Sequence, residues 1–223
     1  MKNNKISILF LGKKGDECCN EALTFIKDSF SVVTYYLGKR DDSLPEDIAR
    51  WNGDYIISYL SPWIIPKTVL KKCSISAINF HPATPNYPGI GCTNFALYEE
   101  AEEYGVTCHY MKAKVDTGKI IAVKRFPITK DDDVKSLTKR AYKLQLILFY
   151  EILDKIINDR PIPISTEKWT RKAFTRAELD ALSIVDPSMN KKEVEKRIRA
   201  TSYKNFQPVI KIYNYIFELK NKK

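Results

Sequence analysis

The chain has 223 residues, is 44% hydrophobic and carries a formal charge of +10, which supplies one full apolar core and excludes a disordered polymer. No apolar run approaches the roughly 20 residues of a membrane span, and the early run at 6–12 has no small-residue cleavage site behind it, so no membrane insertion is expected and the expected compartment is the cytoplasm. The five cysteines (Cys18, Cys19, Cys73, Cys92, Cys108) are odd in number and form no C-x-x-C pair, as expected of reduced thiols.

Residues 5–11 form an apolar, β-branched run that stops at Gly12, and residues 17–30 have the apolar spacing of a helix. Two further strand-like runs lie at 31–37 and 54–60, separated by a polar segment of helical character at 44–51. A fourth, at 74–80, follows a short helix expected at 66–72. Parallel strands need crossovers and helices are the usual crossover, so this alternation predicts an α/β fold with a doubly wound, mostly parallel sheet.

Residues 93–103 read as an amphipathic helix offering Phe95, Leu97 and Tyr98 to the core. Two strands joined through 112–118 are expected at 105–128. The longest helix is expected at 133–157, where Asp131, Asp132 and Asp133 suit the positive end of the helix dipole. Past 165 the texture changes: helices are predicted at 170–182 and 191–200, and alternating edge strands at 207–219. The expected organisation is a core at 1–165 and an appendage at 166–223, closing on a solvated lysine tail at 220–223.

Ligands of open α/β sheets gather at the carboxyl ends of the strands. Asn79 and His81 stand at such an end, two apart in extended chain, so their side chains project to the same side and can face one substrate atom. Pro82, Pro85 and Pro88 stiffen the loop that follows, before Gly89 and Gly91. His109 lies inside a strand-like run, where a satisfied, partly buried side chain is expected. A zinc site from His81, His109, Cys92 and Cys108 finds no support in their spacing, so no metal is expected. Asp116, in V-D-T-G, reads by itself as a turn residue before Gly118. The G-K-K-G turn at 12–15 is either a phosphate cradle or an ordinary strand-to-helix turn. S-P-W-I-I-P, at 61–66, either caps the core or lines a flat aromatic ligand. The positive charge favours an anionic partner, but the lysines are dispersed and form no aromatic-and-basic stripe, so no nucleic acid is expected.

Together, Asn79, His81, P-N-Y-P-G at 85–89 and G-V-T-C-H-Y-M-K-A-K-V-D-T-G-K-I at 105–120 resemble the folate-dependent formyltransferases. The site of that family is an asparagine, a histidine two residues on, and an aspartate in a downstream D-x-G loop. N-F-H-P-A-T-P-N-Y-P-G, followed by N-F-A-L-Y-E-E, is similar to the sugar N-formyltransferase branch, which acts on nucleotide-linked amino sugars; residues 196–212 resemble its C-terminal region.

The resemblance implies a Rossmann-like formyltransferase core with a short C-terminal helix and β-hairpin appendage. It implies direct transfer of the formyl group of 10-formyltetrahydrofolate to an amine, with no metal. In that chemistry His81 takes the proton of the attacking amine, Asn79 donates a hydrogen bond to the oxyanion, and Asp116 orients and polarises His81 or a bound water. It also implies folate contacts at Ser61, Trp63, Ile64 and Ile65 and at Lys112, Ala113, Lys114 and Val115. Acceptor contacts are implied at Tyr87, Pro88, Gly89 and Ile90, with Arg199 on sugar or diphosphate. The expected acceptor is dTDP-4-amino-4,6-dideoxyglucose, ahead of a UDP-linked sugar or the 3-amino isomer, for O-antigen or other surface polysaccharide. Glycinamide ribonucleotide is the alternative acceptor, and a basic RNA-binding module the alternative outside enzymes. The larger second domain of the tRNA-directed members is not expected. Alternating apolar residues at 209–217 are expected to pair across a two-fold axis, giving a homodimer.

Overall fold

The computed structural model describes residues 3–220; positions 221–223 of the expected tail lie outside them. Strands β1 (Asn3–Lys13), β2 (Phe30–Gly38), β3 (Gly53–Tyr59), β4 (Cys73–His81), β5 (Glu103–Tyr110) and β6 (Ile120–Pro127) form one sheet in the order β2-β1-β3-β4-β5-β6. Its first three pairings are parallel, whereas β4–β5 and β5–β6 are antiparallel. Helices α1 (Glu17–Ser29), α2 (Lys67–Leu70), α3 (Cys92–Tyr98), α4 (Val134–Ile157), α5 (Arg176–Leu182) and α6 (Lys191–Thr201) complete the chain with a two-stranded hairpin, β7 (Val209–Ile212) and β8 (Tyr215–Glu218).

The continuous apolar run of β1 follows from burial on both faces. Ile8 and Phe10 join a core beneath α1 and α4, while Leu9 and Leu11 join a second core with Ile48, Ile56, Ile65 and Val69 on the opposite face. The 24 residues of α4 span the first core, and the Phe149 ring lies 5.4 Å from Tyr59 and 5.3 Å from Phe80. Asp133 is the N-cap of α4 in a reciprocal capping box with Ser136.

Three elements differ from expectation. The segment at 44–51 holds only a short 3-10 helix, Glu46–Arg50. The helix expected at 93–103 ends at Tyr98 because Glu100 is left-handed, with φ 53°, and the chain turns into β5. The helix expected at 170–182 begins only at Arg176, capped by Thr175 and Glu178. Residues 166–175 instead run as a strap along the 85–90 loop. The Thr170 N–H donates to the Pro85 carbonyl, the Phe174 N–H to that of Pro88, and the Ile90 N–H to that of Phe174. The Phe174 ring stacks on Phe95 at 3.7 Å and 8°. Those bonds and that stack outweigh the helical composition of the segment.

Candidate active site

The carboxyl end of β4 carries Asn79 and His81 on one side of the strand. The antiparallel neighbour β5 places His109 directly opposite Asn79, and the β5–β6 turn returns Asp116 to the same point. His81 Nδ1 lies 3.4 Å from Asp116 Oδ2, and His109 Nε2 lies 3.2 Å from Asp116 Oδ1. The Asn79 side-chain nitrogen is 3.0 Å from the same His109 Nε2. His109 thus joins Asn79 to Asp116: when Nε2 carries a proton it donates to the carboxylate, and when bare it accepts from the amide.

Tautomers follow from the carbonyls, which can only accept. His81 Nε2 donates to the Tyr87 carbonyl at 2.8 Å, and His109 Nδ1 donates to that of Tyr110 at 2.9 Å. In its neutral form His81 therefore keeps its lone pair on Nδ1, beside Asp116. Asp116 is 6% exposed. Burial pushes its carboxyl up, but the charge of His81, the hydrogen bond and charge of His109 and the Gly89 N–H outweigh burial and hold it at about 2. That Gly89 N–H donates to Asp116 Oδ2 at 2.8 Å.

The backbone is specialised here. Asp116 sits at φ 45° and Leu60, at the end of β3, at φ 54°, left-handed conformations that ordinary side chains adopt at a cost of order 1–3 kcal/mol. At Gly118 a Cβ would fall 1.5 Å from the Tyr110 carbonyl oxygen, and at Gly89, with φ +89°, 2.4 Å from that of Phe174. Both glycines let backbone segments meet where side chains would not fit.

These groups open into a cleft of about 640 Å³. Asn79, His81 and Asp116 line it, as do Ser61, Trp63, Ile64, Ile65, Lys112, Val115, Gly89 and Ile90. Ala113 and Lys114 are exposed and do not line it. Tyr87 and Pro88 act through their backbone, accepting from His81 and Phe174. Arg199 does not reach the cleft, since its guanidinium donates to the carbonyls of Asp132 and Thr129 and ties α6 to the loop before α4.

The sequence alone missed His109 as a member of the network. It also missed Tyr142 of α4 and Phe174, Thr175 and Arg176, which line the cleft. Pairing β5 against β4 in register would have found His109; Arg176 carries no local signal. At the G-K-K-G turn the start of α1 is capped by the Asp16 side chain, and Lys13 Nζ reaches the Tyr142 hydroxyl at 3.3 Å and Asp16 at 3.8 Å. A carboxylate already occupies the place an anion would take.

The formyl transferase family matches residues 25–153, more than half of the chain. The chain belongs to that family. Among curated relatives, the chain is 28% identical over 123 residues to the methionyl-tRNA formyltransferase of Pediococcus pentosaceus, covering 55% of this chain and 38% of that one. It is 33% identical over 112 residues to that of Enterococcus faecalis, covering 50% and 36%. The chain thus spans less than half the length of these relatives. Among solved structures, its fold is similar to a sugar N-formyltransferase from a Shewanella species, with a TM-score of 0.78, 16% identity and 98% of each chain covered. A 4-N formyltransferase from Francisella tularensis gives 0.77, 14% identity, and 99% and 100% coverage. The N-formyltransferase from Helicobacter canadensis, in complex with folinic acid and dTDP-3-aminofucose, gives 0.74, 21% identity, and 93% and 84% coverage.

Proposed function

We propose that this formyl transferase moves the formyl group of 10-formyltetrahydrofolate onto the amine of a nucleotide-linked amino sugar, dTDP-4-amino-4,6-dideoxyglucose being the first candidate. The observation that carries the reading is the buried His81–Asp116 pair, 3.4 Å apart, in a cleft whose walls differ in chemistry. Trp63, Ile65 and Met111 belong to the second core and offer an apolar wall for a flat pterin ring. Tyr142 and Arg176 bring a hydroxyl and a guanidinium group suited to a sugar diphosphate. We therefore place the anion contact on Arg176, which lines the cleft while its Nε pairs with Asp180 at 2.8 Å, in place of Arg199.

His81 Nδ1 takes a proton from the neutral amine as the new N–C bond forms, and the ionised Asp116 stabilises the resulting imidazolium. The Asn79 amide donates to the formyl oxygen as negative charge develops there. His81 then returns its proton to the nitrogen from which the formyl group departs.

The family match supports formyl transfer, and the folate and dTDP-sugar bound in the Helicobacter canadensis neighbour support this acceptor class. So does the extent of the fold likeness, which runs through the C-terminal elements. Glycinamide ribonucleotide is the lesser reading, because the capped start of α1 opposes a phosphate there. We place the enzyme in the cytoplasm ahead of O-antigen or other surface-polysaccharide assembly; no helix among the described residues is long and apolar enough to cross a membrane. It acts as a homodimer joined through β7 and β8, which expose Ile212, Tyr215, Ile216 and Phe217.

The test is mass spectrometry after incubation with 10-formyltetrahydrofolate and dTDP- and UDP-linked amino sugars, with glycinamide ribonucleotide and methionyl-tRNA as competing acceptors. One added formyl group on an amino sugar is expected, lost by roughly 100-fold or more in His81→Ala and Asn79→Ala. Formylation of either competitor alone, or of nothing, overturns the assignment.

A further inference from the structure

Trp169 lies on the strap and packs against the catalytic network without lining the cleft. Its ring centroid is 5.7 Å from that of His81 with the planes at 70°, and 5.0 Å from that of His109 at 89°. Both are edge-to-face aromatic arrangements. Its indole N–H donates to the Gly118 carbonyl at 2.8 Å, two residues beyond Asp116. One side chain thus touches both imidazoles and the D-x-G loop.

The loop needs such a hold. Asp116 is a non-glycine residue in left-handed backbone, a conformation that persists where the surroundings impose it. On one side the Gly89 N–H fixes the carboxylate, and on the other the indole fixes the backbone two residues on. The indole is itself fixed along the strap. The Ser165 N–H donates to the Ile120 carbonyl, Glu167 pairs with Arg125 of β6, and the Thr170 N–H donates to the Pro85 carbonyl.

We propose that Trp169 is a positioning residue. It sets the planes of His81 and His109 against Asp116 and meets neither substrate. The structural claim stands apart from the function proposed above; only its kinetic readout rests on that reading.

The experiment compares Trp169→Leu, which removes ring and N–H, with Trp169→Phe, which removes only the N–H, and with Lys168→Ala at the exposed neighbouring position. Thermal melts and circular dichroism check folding, and Trp169→Phe keeps the test informative if the leucine variant does not fold. The chain holds two histidines, so the imidazole C–H signals in proton NMR resolve into two sets, assigned with His81→Ala. In wild type the Trp169 ring current displaces both sets. Trp169→Leu is expected to move both, and Trp169→Phe to move them less. In kinetics, Trp169→Leu is expected to lose about 10²-fold in kcat, as for a misplacement near 1 Å, with KM for both substrates held within about threefold. Trp169→Phe is expected to lose about tenfold and Lys168→Ala nothing measurable. Unmoved histidine signals overturn the proposal, as does a raised KM at constant kcat. A wild-type protein inactive on every acceptor overturns the formyl-transfer reading, and the NMR result then decides the role of Trp169.

Discussion

Replacing Asp116 with asparagine keeps the size of the side chain and a residue type that tolerates left-handed backbone, while removing the charge beside His81. The unit charges of imidazolium and carboxylate at 3.4 Å attract by roughly 5 kcal/mol at an effective dielectric near 20. Proton transfer is only partial at the transition state, and the asparagine amide retains a dipole toward the ring. About half of that attraction should therefore appear as lost catalysis, which is roughly 10²-fold in kcat at 1.4 kcal/mol per tenfold. KM should stay within about threefold, because Asp116 acts through His81. The assay is steady-state formyl transfer on the acceptor found by mass spectrometry, with folding checked by circular dichroism. A folded Asp116→Asn enzyme that keeps kcat within about threefold of wild type would refute the charge-pair mechanism.

Acid stability gives an independent reading of the same carboxylate. The folded-state value near 2 lies below the ordinary carboxylate range, so its contribution is present above about pH 4 and disappears as pH falls through 2, amounting to about 2 kcal/mol. Urea titrations should show the advantage of wild type over Asp116→Asn narrowing by that amount between pH 4 and 2; a constant difference would contradict it. Phe149→Ala empties the centre of the first core, where the ring meets Tyr59 and Phe80, and should cost about 3–5 kcal/mol in urea unfolding. Gly118→Ala forces a Cβ onto the Tyr110 carbonyl; a loss of roughly 1–3 kcal/mol in thermal or urea unfolding is expected, together with lower kcat as the loop shifts Asp116. Ile216→Asp on the exposed hairpin should turn a dimer into a monomer in light scattering at micromolar concentration, and a monomeric wild type would remove the proposed interface.

Much of the scaffold was legible along the chain. The four apolar runs before residue 81 are the parallel strands; burial on both faces explains the unbroken hydrophobic stretch of β1, whereas the edge strand β2 leaves Val32 and Tyr35 exposed. Asn79 and His81 share a side by the two-residue period of extended chain, and the proline loop behind them turns against the strap. These are local properties set by neighbours in sequence. His109 was read as a satisfied strand residue, and it is one, through Tyr110. That it also bridges Asn79 and Asp116 depends on the register of β5 against β4, which no residue of β5 encodes alone. The strap shows the same limit. Residues 170–175 have the composition of a helix, but their hydrogen bonds go to a loop more than 80 residues earlier. Arg199 carries a charge that suits a phosphate, yet its N–H groups meet two backbone carbonyls. Periodicity and turn chemistry thus determined the strands, the helices α1, α4 and α6 and the paired amide and imidazole of β4. Tertiary packing alone decided which distant groups surround them, because strand register and side-chain contact depend on how separate elements dock.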